Sequence, residues 1–366
     1  MDFASYYYFI CWIFILLLTI GRFSEMQTFR SYFVIFQREN YKLMAAFCVF
    51  YILFVGFRPI SQVFGDTVSY ANIYEKMQTA GMLEGSGASE SDWLFWDIMF
   101  TCSQITNVEF FFTFVLLFYV GLMFVGCKKI DAWHCSTIML FCLGAFSFYT
   151  YSVNGIRNGV ACSIVIMAIG GVCKGERIWP IVLAFIALGC HKSVALPLAC
   201  MFFTYFVRSP KLMYLTWLGA IVISLLFGEI IGDILSLISY DERLADNFNQ
   251  EEADGLEADH SFRWDFLLYG SMPIILGAYV LFKQKIYNNT YLILLGTYIY
   301  ANAFWVLAIR AMFSNRIAYL SWFIYPIVLA YPLLNLPVFN RNHSQKAAVI
   351  LLAHFGFTTV MWMLGK

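Results

Sequence analysis

Residues 108–126 read VEFFFTFVLLFYVGLMFVG and contain a single charged residue, Glu109. A continuous apolar run of about 17 to 25 residues is long enough to cross a bilayer as a helix. The helix is the expected form because lipid offers the backbone no hydrogen-bond partners, and a helix satisfies its own. This stretch therefore predicts a transmembrane helix.

Eleven further apolar runs follow the same pattern, two or three of them short. Together they predict twelve spans, near residues 5–21, 43–57, 108–126, 135–152, 156–173, 178–190, 193–207, 212–231, 264–282, 290–309, 316–335 and 347–364. We therefore predict an all-α polytopic membrane protein of about 12 transmembrane helices. The sequence contains no internal repeat and no Pro-rich linker, so residues 1–366 are expected to form a single transmembrane domain.

The composition agrees with this class of protein. The chain is 61% apolar and 13% charged, whereas an ordinary soluble domain is about half apolar and about a quarter charged. Its formal net charge is zero, so the basic face that a nucleic-acid partner requires is not expected.

Metal and cofactor motifs are missing from the sequence. Ten cysteines are present without any Cys-x-x-Cys pair, and they are interpreted as small core residues. The acidic stretch 241–259 lacks the alternating carboxylates of a calcium loop, and neither a phosphate-binding loop nor a dinucleotide glycine motif occurs. We predict no metal site and no cofactor.

The charges between the spans predict an orientation. Alternating the connectors between two sides puts 14 basic and four acidic residues on one side, and leaves nine basic and 19 acidic residues on the other. The positive-inside rule makes the first side cytoplasmic. The opposite side then holds two long connectors, about 58–107 and 232–263, and it is the side where chemistry has room.

The stretch Asn154-Gly155-Ile156-Arg157-Asn158-Gly159 lies on that outer side, near the junction of two spans. On a helix, positions 154, 157 and 158 share one face. One interpretation is a phosphate or pyrophosphate pocket, because a guanidinium binds such groups through a planar fork of donors. The other is an interfacial arginine that extends to water.

A second motif runs from Arg58 through Gly65-Asp66 to Tyr70. Asp66 can cap a helix that carries Tyr70 four residues later. Alternatively, its carboxylate can hold a sugar hydroxyl or act as a base.

His191 follows Gly189-Cys190 and precedes Lys192-Ser193, at the outer junction of two short spans. Histidine suits general-base catalysis because its pKa lies near neutral pH. The alternative is an interfacial histidine bound to a backbone carbonyl.

Three more arginines lie near outer helix ends: Arg263, Arg310 and Arg316. Arg263 can simply pair with Asp265. Arg316, at the mouth of a span, is a candidate contact for a lipid phosphate.

In their order along the chain, these motifs resemble the EpsG/Wzy-type polysaccharide polymerases of bacterial membranes. The matching pieces span residues 58 to 316 and are Arg58 with Gly65-Asp66 and Tyr70, Asn154 and Arg157 followed by Ala161, His191-Lys192-Ser193, and Asn315-Arg316. The resemblance implies a helical bundle like those of GT-C glycosyltransferases and O-antigen ligases. It also implies a metal-independent enzyme in the bacterial cytoplasmic membrane, acting at the extracytoplasmic face.

The resemblance further implies the substrates and the roles of the residues. The enzyme would join oligosaccharide repeat units carried on undecaprenyl pyrophosphate, with membrane lipid and a chain-length regulator as partners and no nucleic acid. Arg157 and Arg316 would hold pyrophosphate, and His191 or Asp66 would be the base. The substrate-binding candidates are Arg58, Tyr70, Asn154, Asn158, Arg263, Arg310 and Arg316.

Two other functions remain open from the sequence. A flippase or transporter of the same lipid would need polar residues through the membrane midplane, whereas here the charges gather at one face. A membrane acyltransferase acting on glycans would need access for an acyl donor, usually from the cytoplasm, where the predicted connectors are short.

Overall fold

The computed structural model describes residues 3–23, 39–81, 90–238, 262–310, 314–339 and 342–364. Across these residues the chain is helical and contains no β-strand, which confirms the all-α prediction. The helices are α1 (Phe3–Phe23), α2 (Glu39–Gly56), α3 (Thr67–Ala80), α4 (Trp93–Ser103), α5 (Val108–Ile130), α6 (Cys135–Leu143), α7 (Phe146–Val153), α8 (Ile156–Cys173), α9 (Ile178–Cys190), α10 (Ala195–Phe206), α11 (Pro210–Ile238), α12 (Trp264–Ala278), α13 (Asn289–Leu307), α14 (Ser314–Trp322), α15 (Tyr325–Asn335) and α16 (His343–Met363).

Seven helical segments of the described chain are long and apolar enough to cross a membrane, and the bent pair α6–α7 makes an eighth if it is one span. Four shorter apolar helices occupy other predicted spans: Phe3–Leu16, Tyr41–Gly56, Ile178–Cys190 and Lys192–Phe206. The multi-pass character is thus confirmed, while the number of twelve crossings stays a prediction.

Both long connectors contain helix: α3 follows Asp66, as the capping motif indicates, whereas α4 and the end of α11 are helices that the sequence did not predict. Helices α3 and α4 both lie within 58–107. Helix α11 continues to Ile238, past the predicted start of the second connector at 232, after a break in helical geometry at Phe227. The apolar residues between 234 and 238 explain the extension, because they continue the pattern of a helix. The acidic residues predicted between 241 and 259 lie outside the described residues.

Helices α5 and α8 pack side by side and run in the same direction. The Ser163 hydroxyl donates to the Tyr119 carbonyl at 2.9 Å, and further along both helices Gly170 lies against Lys129. A Cβ at Gly126 would come within 2.7 Å of the Ile166 side chain, so the absence of a side chain there permits the close approach. The parallel arrangement requires α6 and α7 to carry the chain back between them.

That return crossing is broken, because α6 and α7 meet at an angle of 75°. A break leaves backbone groups without helical partners, which is costly in lipid unless side chains replace them. Nε2 of His354 donates to the Phe141 carbonyl at 3.0 Å, and the Phe146 amide donates to the Tyr269 hydroxyl at 3.5 Å. Two distant helices, α16 and α12, therefore stabilise the bend.

Helices α8 and α9 carry different charged residues at their two ends. Arg157 lies in the first turn of α8 and Lys174 follows its last residue, while Arg177 precedes α9 and His191 follows it. The short connector that joins them carries Glu176, whose carboxylate pairs with Lys129 at 2.6 Å. Arg157 and His191 consequently lie at the end of the bundle opposite to this connector.

Candidate active site

A buried carboxylate, that of Asp92, lies at the centre of the site. Asp92 is 1% exposed and ends a short 3-10 turn just before α4. Its Oδ2 accepts from Nη1 of Arg157 at 2.5 Å and lies 2.9 Å from Nδ1 of His191. Its Oδ1 accepts from the Lys192 amide at 3.1 Å. Arg157, at the start of α8, and His191, directly after α9, thus contact the same carboxylate.

Local backbone geometry makes this arrangement possible. Asp92 occupies the N-cap position of α4, yet its side chain makes no capping bond to that helix, so the carboxylate is available to other elements. His191 has extended backbone angles (φ −161°, ψ 122°) between α9 and the turn that starts α10. Gly189 lets α9 approach α4, because a Cβ there would lie 3.0 Å from Cβ of Leu94.

The guanidinium of Arg157 is held on three sides. Its Nε donates to the Tyr70 hydroxyl at 2.9 Å, and its Nη1 donates to Asp92. The ring of Trp96 lies 5.0 Å from Cζ, within the range of a cation–π interaction. Arg157 therefore keeps one orientation at the helix end, with 12% of its side chain exposed.

Asn154 connects the Asp66 motif to the segment that carries Arg157. The Asp66 amide donates to Oδ1 of Asn154 at 3.0 Å. Asp66 occupies the N-cap position of α3, as the sequence indicates, but its carboxylate makes no capping bond. Tyr70, one turn further along α3, is the residue of this motif that contacts Arg157.

Asn158 is placed differently from the other polar residues of its motif. Its Oδ1 lies 3.4 Å from Sγ of Cys162, one turn along α8. Asn158 therefore has a partner within its own helix, and its contact with a substrate stays a prediction.

Arg58 is buried, with 2% of the residue exposed. It donates to the Val55 and Val153 carbonyls and to the Thr67 hydroxyl, at 3.1 to 3.2 Å. Burial lowers its pKa to about 10, so it stays charged at neutral pH. These contacts join the ends of α2 and α7 and give Arg58 structural partners, while its contact with a substrate stays a prediction.

The remaining arginines lie on other elements. Arg263 pairs with Asp265 through two bonds of 3.0 and 2.9 Å, as the alternative interpretation of the sequence expected. Arg310 packs against Gly228 of α11, and Arg316 is exposed in the first turn of α14. Among the ion pairs of the described residues, those of Asp92 are with Arg157 and His191. Contact of Arg263, Arg310 and Arg316 with a substrate stays a prediction.

A second Asp–His pair shows what distinguishes His191. Nδ1 of His134 lies 2.7 Å from Oδ2 of Asp131, which also accepts from Asn335. The His134 side chain is only 1% exposed, whereas that of His191 is 18% exposed. A substrate can therefore reach the imidazole of His191 but not that of His134.

The environment of Asp92 keeps it ionised. Burial alone would raise the pKa of this carboxyl, but the hydrogen bond and charge of His191, the charge of Arg157 and the Lys192 amide together bring the pKa below its ordinary value. Because an ionised carboxylate only accepts hydrogen bonds, Nδ1 of His191 must carry the hydrogen between them. In the neutral imidazole, Nε2 is then the nitrogen that can accept a proton.

Asp92 is the residue that the sequence interpretation missed. Asp97, five positions later, has the same carboxylate chemistry, but its side chain is exposed on α4. The signal available was an acidic residue directly before an apolar helix, which is typical of an N-cap. Nothing local connects it to Arg157, 65 positions away.

The fold and the site together define a multi-pass, all-α membrane protein with an Asp–His–Arg cluster at one end of its bundle. A family model described as the EpsG family matches residues 41–365, so the chain belongs to the EpsG family. This membership confirms the resemblance seen in the sequence and suggests a polysaccharide polymerase with glycosyltransferase-like chemistry. Comparisons with curated proteins and with solved structures give no match.

Proposed function

We propose that this protein joins oligosaccharide repeat units, carried on undecaprenyl pyrophosphate, into a polysaccharide at the extracytoplasmic face of the bacterial cytoplasmic membrane. Family membership supports the polymerase class. The observation that carries the chemistry is the contact of one buried carboxylate, Asp92, with both a partly exposed imidazole and a guanidinium.

The distribution of charge supports the proposed face. Arg157 and His191 lie at the end of α8 and α9 opposite to the short connector that carries Lys174 and Arg177. Short connectors rich in Lys and Arg are typically cytoplasmic. The Asp92 cluster would then open toward the outside, where the longer connectors provide room for a glycan.

The proposed reaction begins with removal of a proton from the acceptor. Nε2 of His191 takes the proton of a hydroxyl on the terminal sugar of the incoming unit, and that oxygen attacks the anomeric carbon of the growing chain. Asp92 fixes the tautomer through Nδ1 and stabilises the imidazolium that forms. Of the two bases left open by the sequence, His191 is favoured because a buried carboxylate orients it.

The bond from the anomeric carbon to the pyrophosphate oxygen breaks as the new glycosidic bond forms, and its electron pair leaves with undecaprenyl pyrophosphate. Negative charge therefore grows on the phosphate oxygens. Arg157, held rigid by Tyr70 and Trp96, stabilises this charge without having to reorganise. The exposed side chain of Lys192 lies next in the chain to His191 and adds a second cation.

Asp66 is assigned to acceptor binding. Its amide is fixed by Asn154, and one turn further along α3 Tyr70 contacts Arg157. The Asp66 carboxylate can accept hydrogen bonds from sugar hydroxyls and place the attacking oxygen, which is a large part of catalysis by proximity.

The proposal is tested by the product of a strain that lacks the gene. We expect its glycan to end after one repeat unit, and complementation with His191→Gln to leave that defect in place. His134→Gln, expressed at the same level, is the control for loss of a histidine paired with an aspartate. Full-length polysaccharide in the deletion strain would overturn the polymerase assignment, whereas lipid-linked units retained on the cytoplasmic side would favour a flippase.

Metal independence is also part of the proposal. Because Arg157 and Lys192 supply the positive charge at the leaving group, polymerisation by the purified protein on lipid-linked units should continue in EDTA. Loss of activity in EDTA that is restored by Mg²⁺ or Mn²⁺ would contradict it.

A further inference from the structure

An apolar cavity of about 550 Å³ lies between α12, α15 and α16, away from the Asp92 cluster. Its volume is within the usual range for ligand pockets. All three helices belong to segments that can span a membrane. Water is an unfavourable occupant, because a mostly apolar lining gives it few hydrogen-bond partners.

The walls of the cavity are rich in aromatic rings. They include Tyr269, Tyr279, Tyr325, Phe339 and Phe357, together with aliphatic side chains such as Ile350. From Tyr269 to Tyr279 the wall runs about 15 Å along the helix axis. This shape and lining suit a long hydrocarbon chain, and ring faces suit the alkene groups of an isoprenoid.

A column of packed rings connects this cavity to the candidate active site. Tyr151, against which Gly155 and Gly159 pack beside Arg157, contacts Tyr319 with ring centroids 5.6 Å apart. Tyr319 contacts Trp322 at 5.6 Å, and Trp322 contacts Tyr269 at 5.0 Å. The last of these, Tyr269, forms part of the cavity wall.

The length of α7 sets the separation between the two places. Phe146, at the start of this helix, contacts Tyr269 with ring centroids 4.8 Å apart. The helix ends at Val153, next to the motif that carries Asn154 and Arg157. Eight residues of helix span about 12 Å, which is short compared with an undecaprenyl chain.

We infer that this cavity holds part of the isoprenoid chain of a lipid-linked substrate whose phosphate lies at Arg157. The inference rests on the proposed function, since it is that function which supplies an isoprenoid. It adds a binding site for the isoprenoid chain, separated from the reacting groups by about the length of α7.

The test measures binding of undecaprenyl phosphate to the full-length protein in nanodiscs, by native mass spectrometry. Ala353, which lines the cavity, is replaced by Phe to fill it, and by Leu as a smaller filling. Ala199→Phe makes the same change in volume at an exposed position on α10. We expect binding at least about tenfold weaker for Ala353→Phe, an intermediate loss for Ala353→Leu, and wild-type binding for Ala199→Phe.

Wild-type affinity in both Ala353 variants would overturn the inference. So would equal competition by phosphatidylglycerol with straight acyl chains, because the cavity would then belong to bulk lipid. The thermal transition of each variant shows whether it is folded. If Ala353→Phe is not folded, Ala353→Leu replaces it in the binding test. The probe carries no glycan and no polymerisation is measured, so a failure of the polymerase proposal would appear separately, in the deletion strain.

Discussion

Nδ1 of His191 lies 2.9 Å from Oδ2 of Asp92, although the two residues are 99 positions apart in the chain. The contact brings the connector before α4 together with the turn between α9 and α10. Arg157, from the start of α8, meets the same oxygen. Three separate elements thus depend on one buried carboxylate for their arrangement.

Asp92→Asn should abolish most of the activity while leaving a folded protein. The amide keeps the shape of the side chain but removes the charge that holds the His191 tautomer, and the loss of base function is expected to reduce the rate about a hundredfold or more. The measurement is polymerisation by the purified protein on lipid-linked units. Asp97→Asn, on the exposed face of α4, is the matched control. Equal rates in the two variants would refute the role of Asp92.

Arg157→Lys should be nearly as inactive as Arg157→Gln. An ammonium keeps the charge, but it cannot bind the Tyr70 hydroxyl and the Asp92 carboxylate through the same planar group. We expect a loss in kcat of about 10² to 10³, the usual result of removing a donor at developing negative charge. If Arg157→Lys retains near wild-type kcat, only charge matters at this position and the orienting contacts do not.

Gly65→Ala should damage the site through Asn154. Gly65 has a φ of +60°, and a Cβ there would collide with the Asn154 side chain, which holds the Asp66 amide. Gly81 is the matched control, because its φ is +63° while a Cβ would meet no atom within 4 Å. Both alanine variants should lose about 1 to 3 kcal/mol of stability from backbone strain. Only Gly65→Ala should also raise the KM for the acceptor.

Acid should remove the stabilisation that Asp92 provides. Since its pKa is lowered in the folded protein, its contribution to stability is fully present above the unfolded-state pKa of about 3.9 and is lost as the pH falls through the lower folded value. The difference in unfolding temperature between wild type and Asp92→Asn should therefore be constant from about pH 7 to 5 and shrink below about pH 4. A difference that already disappears near pH 6 would mean that another group controls it.

The orientation can be tested with alkaline phosphatase fusions in a bacterial host. Alkaline phosphatase is active only outside the cytoplasm. A fusion after Gly175 should therefore lack phosphatase activity, and a fusion after Asn249 should have it. The reverse pattern would put the Asp92 cluster on the cytoplasmic side and contradict the proposed face.

Sequence reasoning recovered the helices well because membrane insertion leaves few alternatives. Runs such as residues 108–126 are apolar throughout, and lipid permits a helix there and little else. The same reasoning missed the 75° bend after Leu143, because that region is uniformly apolar and its broken hydrogen bonds are replaced by residues from α12 and α16.

For the site, the sequence could propose residues of suitable chemistry but not their pairing. Arg157 and His191 were selected because charge near a membrane is costly and both lie at helix ends. Arg58 has the same chemistry and position, yet it is buried among carbonyl groups. Asp92 was missed because its partners come from α8 and α9, and only packing of α4 against α9 brings them together.

The bend between α6 and α7 also constrains how the protein is made. Its Phe146 amide is bound by Tyr269, 123 residues later, and its Phe141 carbonyl by His354, 213 residues later. A ribosome will have synthesised α6 and α7 long before either partner exists, so during biogenesis this crossing must wait in the translocon or bilayer with incomplete hydrogen bonding. Assembly of the bundle is therefore complete only after the C-terminal helices have been made. A chain shortened before α16 would lack His354, which binds the Phe141 carbonyl at the bend.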